Sequence, residues 1–239
     1  VHESVNGTSR VRFGTSWAVP VDLSPSPWYY VAKRAIDLAI ALLALVTLAP
    51  LFAVVAVLIK LDSEGPVFFI QERVGYDPST GAVTRFGCYK FRSMRNRADS
   101  ALHRAHMARL IQGQQSTPAP GGTYKLQRDP RVTRVGHVLR RTSLDELPQL
   151  INVVRGEMSI VGPRPAVPYE VEMYQDWHRR RLLAVPGLTG WWQVFGRNQV
   201  VFDEAVRMDI YYVDNRSLWL DLKIILLTPW AIISGRGAG

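Results

Sequence analysis

The run LAIALLALVTLAPLFAVVAVLI, from Leu38 to Ile59, decides the architecture, because 22 consecutive residues carry no charge and nearly all are Ala, Leu, Val or Ile. Such a run is long enough to cross a hydrocarbon core as a helix. Its flanks give no orientation, since Lys33 and Arg34 precede it and Lys60 follows it. Pro50 stands in its middle. A proline there deletes one backbone hydrogen bond and clashes with the preceding turn, so the helix kinks or breaks at Ala49-Pro50. Two topologies stand on these residues alone: a kinked span, and a broken helix that dips into one leaflet and returns to its own side. Asp37 is unsuited to a lipid-facing site. One turn after Lys33, it is expected to pair with that lysine within the helix and stay at headgroup depth.

On the N-terminal side of this run, residues 1–27 lack the basic start, apolar stretch and small-residue cleavage site of a signal peptide. Residues 1–30 read as an extension or linker, and a chain that begins with Val1 is expected to be a fragment or a processed product. On the far side, Leu218 to Ile233 is apolar but interrupted by Asp221 and Lys223 and bracketed by Trp219 and Trp230. Tryptophan prefers the headgroup boundary, so this segment reads as a helix lying on the bilayer or on the domain rather than a second span.

Between the two apolar segments the chain is basic. From Arg85 to Arg141 there are 13 Lys or Arg against Asp99 and Asp129, a surplus of 11, so the remainder carries −2 of the total +9. Such a block suits polyanions, whether nucleic acid, anionic headgroups or phosphate-bearing substrates, and equally a solvated charged face. The single cysteine, Cys88, excludes an internal disulfide and a thiolate metal cluster, which favours a reducing compartment.

Residues 66–70 and 85–91 have strand composition and are expected to form a hairpin, with Gly75, Asp77-Pro78 and Gly81 as its turn. A basic helix is expected over 96–111, a loop rich in Gln, Pro and Gly over 112–123, and helices near 145–154 and 168–184. His103 and His106 lie three apart on the basic helix, but Arg104 and Arg109 beside them favour an exposed polar face over a metal site.

The chemistry concentrates in Arg140-Arg141-Thr142-Ser143-Leu144-Asp145-Glu146-Leu147-Pro148-Gln149. Pro148 lacks an N–H and fits only a first helical turn, which places a helix start near Asp145. Two carboxylates at that end face unpaired N–H groups, the positive dipole end and two arginines, all of which favour their ionised forms. Asp145 is then either a helix cap with Glu146 as dipole partner, or an ionised nucleophile or magnesium ligand beside a phosphate site. In Ser159-Ile-Val-Gly162-Pro163-Arg164-Pro165 two prolines fix one arginine, as a phosphate clamp or as a surface turn. Pro186 to Gln193 combines turn residues with Trp191 and Trp192, which suit either an interface or a base or sugar.

These residues resemble the catalytic region of the bacterial polyprenyl-phosphate sugar phosphotransferases. Those are monotopic phosphoglycosyl transferases that initiate exopolysaccharide, capsule and O-antigen synthesis. The resemblance runs from Lys33 to Gly237 through KRAIDL, GPVFFIQERVG, YKFRSM, DPRVTRVGHVLRRTSLDELPQLINVVRGEMSIVGPRP, PGLTGWWQV, DIYYVDN and SLWLDLKII. SLDELPQ followed by GPRP after a membrane helix is its most specific element.

The resemblance implies an α+β chain with a re-entrant, proline-broken membrane helix over 31–62 and a catalytic domain over 63–239. That domain would be small, cytosolic and mostly helical, with a short β-hairpin and interfacial amphipathic helices. It implies that Asp145 attacks the sugar-bearing phosphate of a UDP-sugar, releases UMP and passes hexose-1-phosphate to undecaprenyl phosphate. Glu146 would be its partner, and Mg²⁺ would sit at Asp145. Lys90, Arg140, Arg164 and Asp209 fall on active-site positions and would bind substrate phosphate. Glucose and galactose are the sugars it suggests. It also implies membrane lipids as partners, a catalytic face on the cytoplasmic side of the bacterial inner membrane, and no nucleic acid; self-association is left open. Ala49-Pro50 stands where many relatives have Ser-Pro, and Gly239 where related chains often end in an aromatic residue. Larger relatives carry additional membrane helices and a domain upstream. The rival readings are a membrane-anchored nucleic-acid binder and a bitopic scaffold, neither of which needs Asp145.

Overall fold

The computed structural model describes residues 4–5, 8–9, 25–95, 101–113, 129–196 and 199–233. The expected helix start at 96 and most of the expected loop at 112–123 lie outside the described residues. Among the described residues, helices mix with three two-stranded sheets. A small antiparallel pair, β1 (Ser4–Val5) and β2 (Thr8–Ser9), comes first.

The long apolar run folds as two helices, α1 (Pro27–Thr47) and α2 (Ala49–Asp62), bent by 60°. The break falls at Leu48, which ends one helix and opens the next, with Pro50 in the first turn of α2, where its missing N–H costs nothing. No single described helix is long and apolar enough to cross a membrane, while the bent pair together has the composition for it.

The first half of α1 is part of the domain. Asp37 is buried and accepts a hydrogen bond from the Ile160 N–H at 2.9 Å. Lys33 does not take Asp37 as its ion partner as expected; it pairs with Asp221 at 3.0 Å. Arg34 caps the carbonyl end of α5 (Gln149–Arg155), bonding the Val153 and Val154 carbonyls at 2.5 and 2.8 Å. Exposed apolar side chains occur along both helices, at Trp28, Val31, Leu42, Leu43 and Val46 of α1 and Val54, Val57 and Leu61 of α2.

The hairpin is longer than its composition suggested: β3 (Phe68–Asp77) pairs with β4 (Ala82–Phe91), and the turn is residues 78–81. Gly75 is no turn residue. It lies in β3, where a Cβ would stand 3.1 Å from the Phe86 ring. The outer edge of β4 is covered by Asn152 of α5, which accepts from the Tyr89 N–H and donates to the Gly87 carbonyl at 2.9 and 2.7 Å.

The basic helix is α3 (Ala101–Ile111), and α4 (Arg134–Thr142), absent from the sequence expectations, is capped by Thr133. The helix expected near 168–184 is two pieces, α6 (Pro168–Glu172) and a 3₁₀ helix (Asp176–Leu182), because His178 turns back to accept the Gln175 N–H and starts a new turn. Strand β5 (Ser159–Val161) pairs in parallel with β6 (Gly187–Thr189). The chain closes with α7 (Trp191–Phe195), α8 (Phe202–Asn215) and α9 (Leu218–Ile233).

Two main cores result. One lies among the hairpin, α3, α6 and α8 around Met107, Tyr174 and Phe202; the other joins α1, β4, α5 and α9 around Ala41, Cys88, Val153 and Ile224. A third cluster seats α2 on Phe91 and Leu139.

Candidate active site

Asp145 and Glu146 lie in a 3₁₀ turn (Leu144–Glu146) between α4 and α5, four and three residues before α5 begins. The reversal is made by Ser143, whose φ of 59° is the one positive value among the described non-glycine residues. Arg140 and Arg141 therefore end α4, where its carbonyl dipole favours cations, rather than opening α5.

Lys90, near the end of β4, reaches Glu146 with Nζ–Oε1 at 2.9 Å, and the two side chains are 16% and 26% exposed. This pair borders a shallow recess lined also by Arg73, Gln149, Arg164 and Gln193. Asp145, half-buried, is the neighbour of Glu146 on the same turn.

Arg164 comes from a backbone crossing that admits no side chains. A Cβ on Gly162 would lie 2.2 Å from the Val185 carbonyl oxygen, one on Gly187 2.0 Å from the Gly162 nitrogen, and one on Gly190 2.3 Å from the Gly162 oxygen. The crossing is sealed by Gly162 N–H to the Thr189 carbonyl and Gly187 N–H to the Pro163 carbonyl, each 2.9 Å. Arg73, fully buried, donates to the Pro165 carbonyl at 2.7 Å and to Gln71 Oε1 at 2.6 Å, which fixes the far side of the same loop.

The structure brings Lys90, Glu146 and Arg164 together and places the other expected residues differently. Asp209 is 0% exposed, ion-paired with Arg181, and accepts the backbone N–H of Arg164; it acts behind that arginine. Burial pushes its carboxyl up to about 6 against the pull of Arg181. Arg140 lies near Asp129, whose carboxyl is held low first by hydrogen bonds from Arg131 and further by Arg140, and it does not line the recess.

The local field is positive. His103 of α3 does not sit on an exposed face as expected; its Nδ1 lies 2.5 Å from the Tyr169 hydroxyl. Burial, then Arg164 and Arg73, bring its ring down to about 4. Two guanidinium groups and an ammonium around the Glu146 carboxylate form a site suited to a polyanion. Sequence reasoning missed Arg73, Gln149 and Arg181. The first lies in QERVG, where a cation amid a β-strand signals either an edge or a pocket.

Residues 28–235 match the family described as bacterial sugar transferase. The chain belongs to that family. This sugar transferase is 45% identical to the exopolysaccharide production protein ExoY of Sinorhizobium fredii, over 87% of this chain and 88% of that one. It is 39% identical to the undecaprenyl-phosphate galactose phosphotransferase of Salmonella typhimurium and 40% identical to the undecaprenyl-phosphate glucose phosphotransferase of Komagataeibacter xylinus. Those two matches cover 86% and 99% of this chain but 41% and 42% of the relatives. The chain is thus an enzyme, a transferase of the phosphotransferase type.

For the sugar transferase site, the donor set also tests magnesium. Among the described residues no three His, Cys, Asp or Glu side chains cluster as metal ligands, and Glu146 is engaged by Lys90. The turn itself offers two carboxylates, Asp145 and Glu146. This fits an ion that keeps its waters and arrives on substrate phosphates, and does not fit a cage built by the protein alone.

Proposed function

We propose that this sugar transferase moves a hexose-1-phosphate, glucose or galactose, from a UDP-sugar to undecaprenyl phosphate at the cytoplasmic face of a bacterial inner membrane. The observation that carries the reading is the Lys90–Glu146 pair beside Asp145, at a recess that also holds Arg73 and Arg164. The names of its relatives support the acceptor and the sugars.

In the first step an Asp145 carboxylate oxygen bonds to the sugar-bearing phosphorus, the phosphoanhydride P–O bond breaks, and UMP leaves with the electron pair. In the second, an oxygen of undecaprenyl phosphate bonds to the same phosphorus, and the P–O bond to Asp145 breaks, restoring the carboxylate. Arg164, held on its rigid loop, and Lys90 hold phosphate oxygens through both steps. Glu146 orients Lys90. Mg²⁺ at Asp145, when bound, neutralises phosphate charge. The bent α1–α2 pair is read as a re-entrant helix that keeps both flanks on one side, so that the lipid phosphate meets the site at the surface.

UMP release measured with several UDP-sugars tests this. Turnover by the wild type that vanishes in Asp145→Asn, with a phosphosugar adduct mapped to Asp145, is the expected result. Undiminished turnover by Asp145→Asn would sink the covalent role.

A further inference from the structure

The hairpin carries an apolar run at its start that neither core absorbs: Phe68, Phe69 and Ile70 are 40%, 51% and 55% exposed. Exposed apolar residues on an edge strand promote aggregation unless something covers them. Two of the three have neighbours. The Phe68 ring stacks on Phe91 at 5.5 Å, and Ile70 lies over Gly87, where a Cβ would come within 2.8 Å of its methyl. Phe69 points to the other face and joins none of the buried clusters among the described residues.

That other face belongs to the site. Cross-strand partners share a face, and the register pairs Phe69 with Lys90, Gln71 with Cys88 and Arg73 with Phe86. Arg73, Cys88 and Lys90 all line the recess. Along β3 the same face therefore runs Arg73, Gln71, Phe69, a charged group, an amide and then a hydrocarbon ring, over about 13 Å. Directly opposite residues have Cβ atoms about 5 Å apart, which puts Phe69 beside Lys90 on the face of the hairpin that lines the recess.

We infer that Phe69 seats the first isoprene units of the acceptor, holding the chain where it leaves the Lys90 side of the recess. The inference rests on the acceptor being a polyprenyl phosphate. A nucleotide sugar offers no hydrocarbon for this position; an amphiphile with an anionic head and a prenyl tail matches both ends of the gradient. Phe69 is thus a specificity-determining residue for the lipid substrate.

The test measures binding of farnesyl phosphate and of inorganic phosphate to the full chain in detergent. Wild type should bind farnesyl phosphate at least tenfold more tightly than inorganic phosphate. Phe69→Ala should remove about that factor for farnesyl phosphate and change inorganic phosphate by no more than about twofold, and Phe69→Leu should restore most of it. Ile70→Ala, an equal apolar loss on the opposite face, should leave the preference intact. Equal affinities in the wild type, an unchanged preference in Phe69→Ala, or an equal loss in Ile70→Ala would overturn the assignment, the last pointing to general bilayer contact. Should Phe69→Ala fail to fold, the wild-type preference and the Leu variant still decide. Failure of the proposed reaction would show separately, as no UMP release from any UDP-sugar while farnesyl phosphate binding stays sensitive to residue 69.

Discussion

Glu146 and Lys90 sit at 2.9 Å with little solvent to screen them, so each fixes the other's position at the recess. A misplacement of about 1 Å at such a site costs on the order of 10²-fold in rate. Glu146→Gln and Lys90→Ala are each expected to lower kcat for UMP release by about that factor. The double variant should lose much less than the product, and a fully multiplicative double-mutant cycle would show that the pair does not act as a unit. Asp209 gives a pH signature. Its carboxyl in the folded chain, at about 6, binds a proton more tightly than the ordinary value of 3.8, so its contribution to stability is complete below about 3.8 and is lost as pH rises through 6. Between pH 7 and pH 5 the wild type should gain about 1 kcal/mol from this group, and Asp209→Asn should lack that gain in denaturation curves taken across the window.

At the level of elements, the bend between α1 and α2 and the β5–β6 crossing each depend on a few backbone positions. Pro50 removes a hydrogen bond at the break, and Pro50→Leu restores a donor there. The variant is expected to straighten in part, so that labels placed before Leu38 and after Ile59, which the re-entrant reading puts on one side in the wild type, become accessible from opposite sides in a fraction of molecules. Identical labelling in both would mean that the break is set elsewhere, for instance by Arg92, which holds the end of α2 through the Ser63 and Glu64 carbonyls. At the crossing, Gly162→Ala drives a methyl to 2.2 Å from a carbonyl oxygen. It should destabilise by about 3 kcal/mol or prevent folding, read as a lowered unfolding midpoint.

Across the whole molecule, Asp221 ties three helices together. It accepts from the Tyr29 hydroxyl and the Lys33 ammonium of α1 and from the Tyr212 hydroxyl of α8 while itself lying on α9. Asp221→Ala leaves a part-buried lysine and two buried hydroxyls without this acceptor, and is expected to cost about 3 kcal/mol in thermal or denaturant unfolding. A cost below about 1 kcal/mol would show that the junction of α1 with the domain is held by packing alone. The basic block is likewise redistributed by the fold: Lys90 goes to Glu146, Arg92 to helix-end carbonyls and Arg131 to Asp129.

The sequence by itself determined what short-range chemistry dictates. The apolar length from Leu38 to Ile59 and its proline implied a helix kinked or broken near Pro50, strand composition on either side of Gly81 implied a hairpin, and SLDELPQ with GPRP marked the candidate site. It did not show α4, whose cap at Thr133 is a single side-chain contact, nor α8, whose acidic first turn is a weak signal. Tertiary structure alone decided the partners. Lys33 chose Asp221, 188 residues away, over Asp37 one turn off, and Asp209 turned inward to Arg181 behind the loop that carries Arg164. The physical reason is that a charge removed from water must be matched by whichever opposite group the packed core brings within reach, and sequence spacing does not encode that proximity.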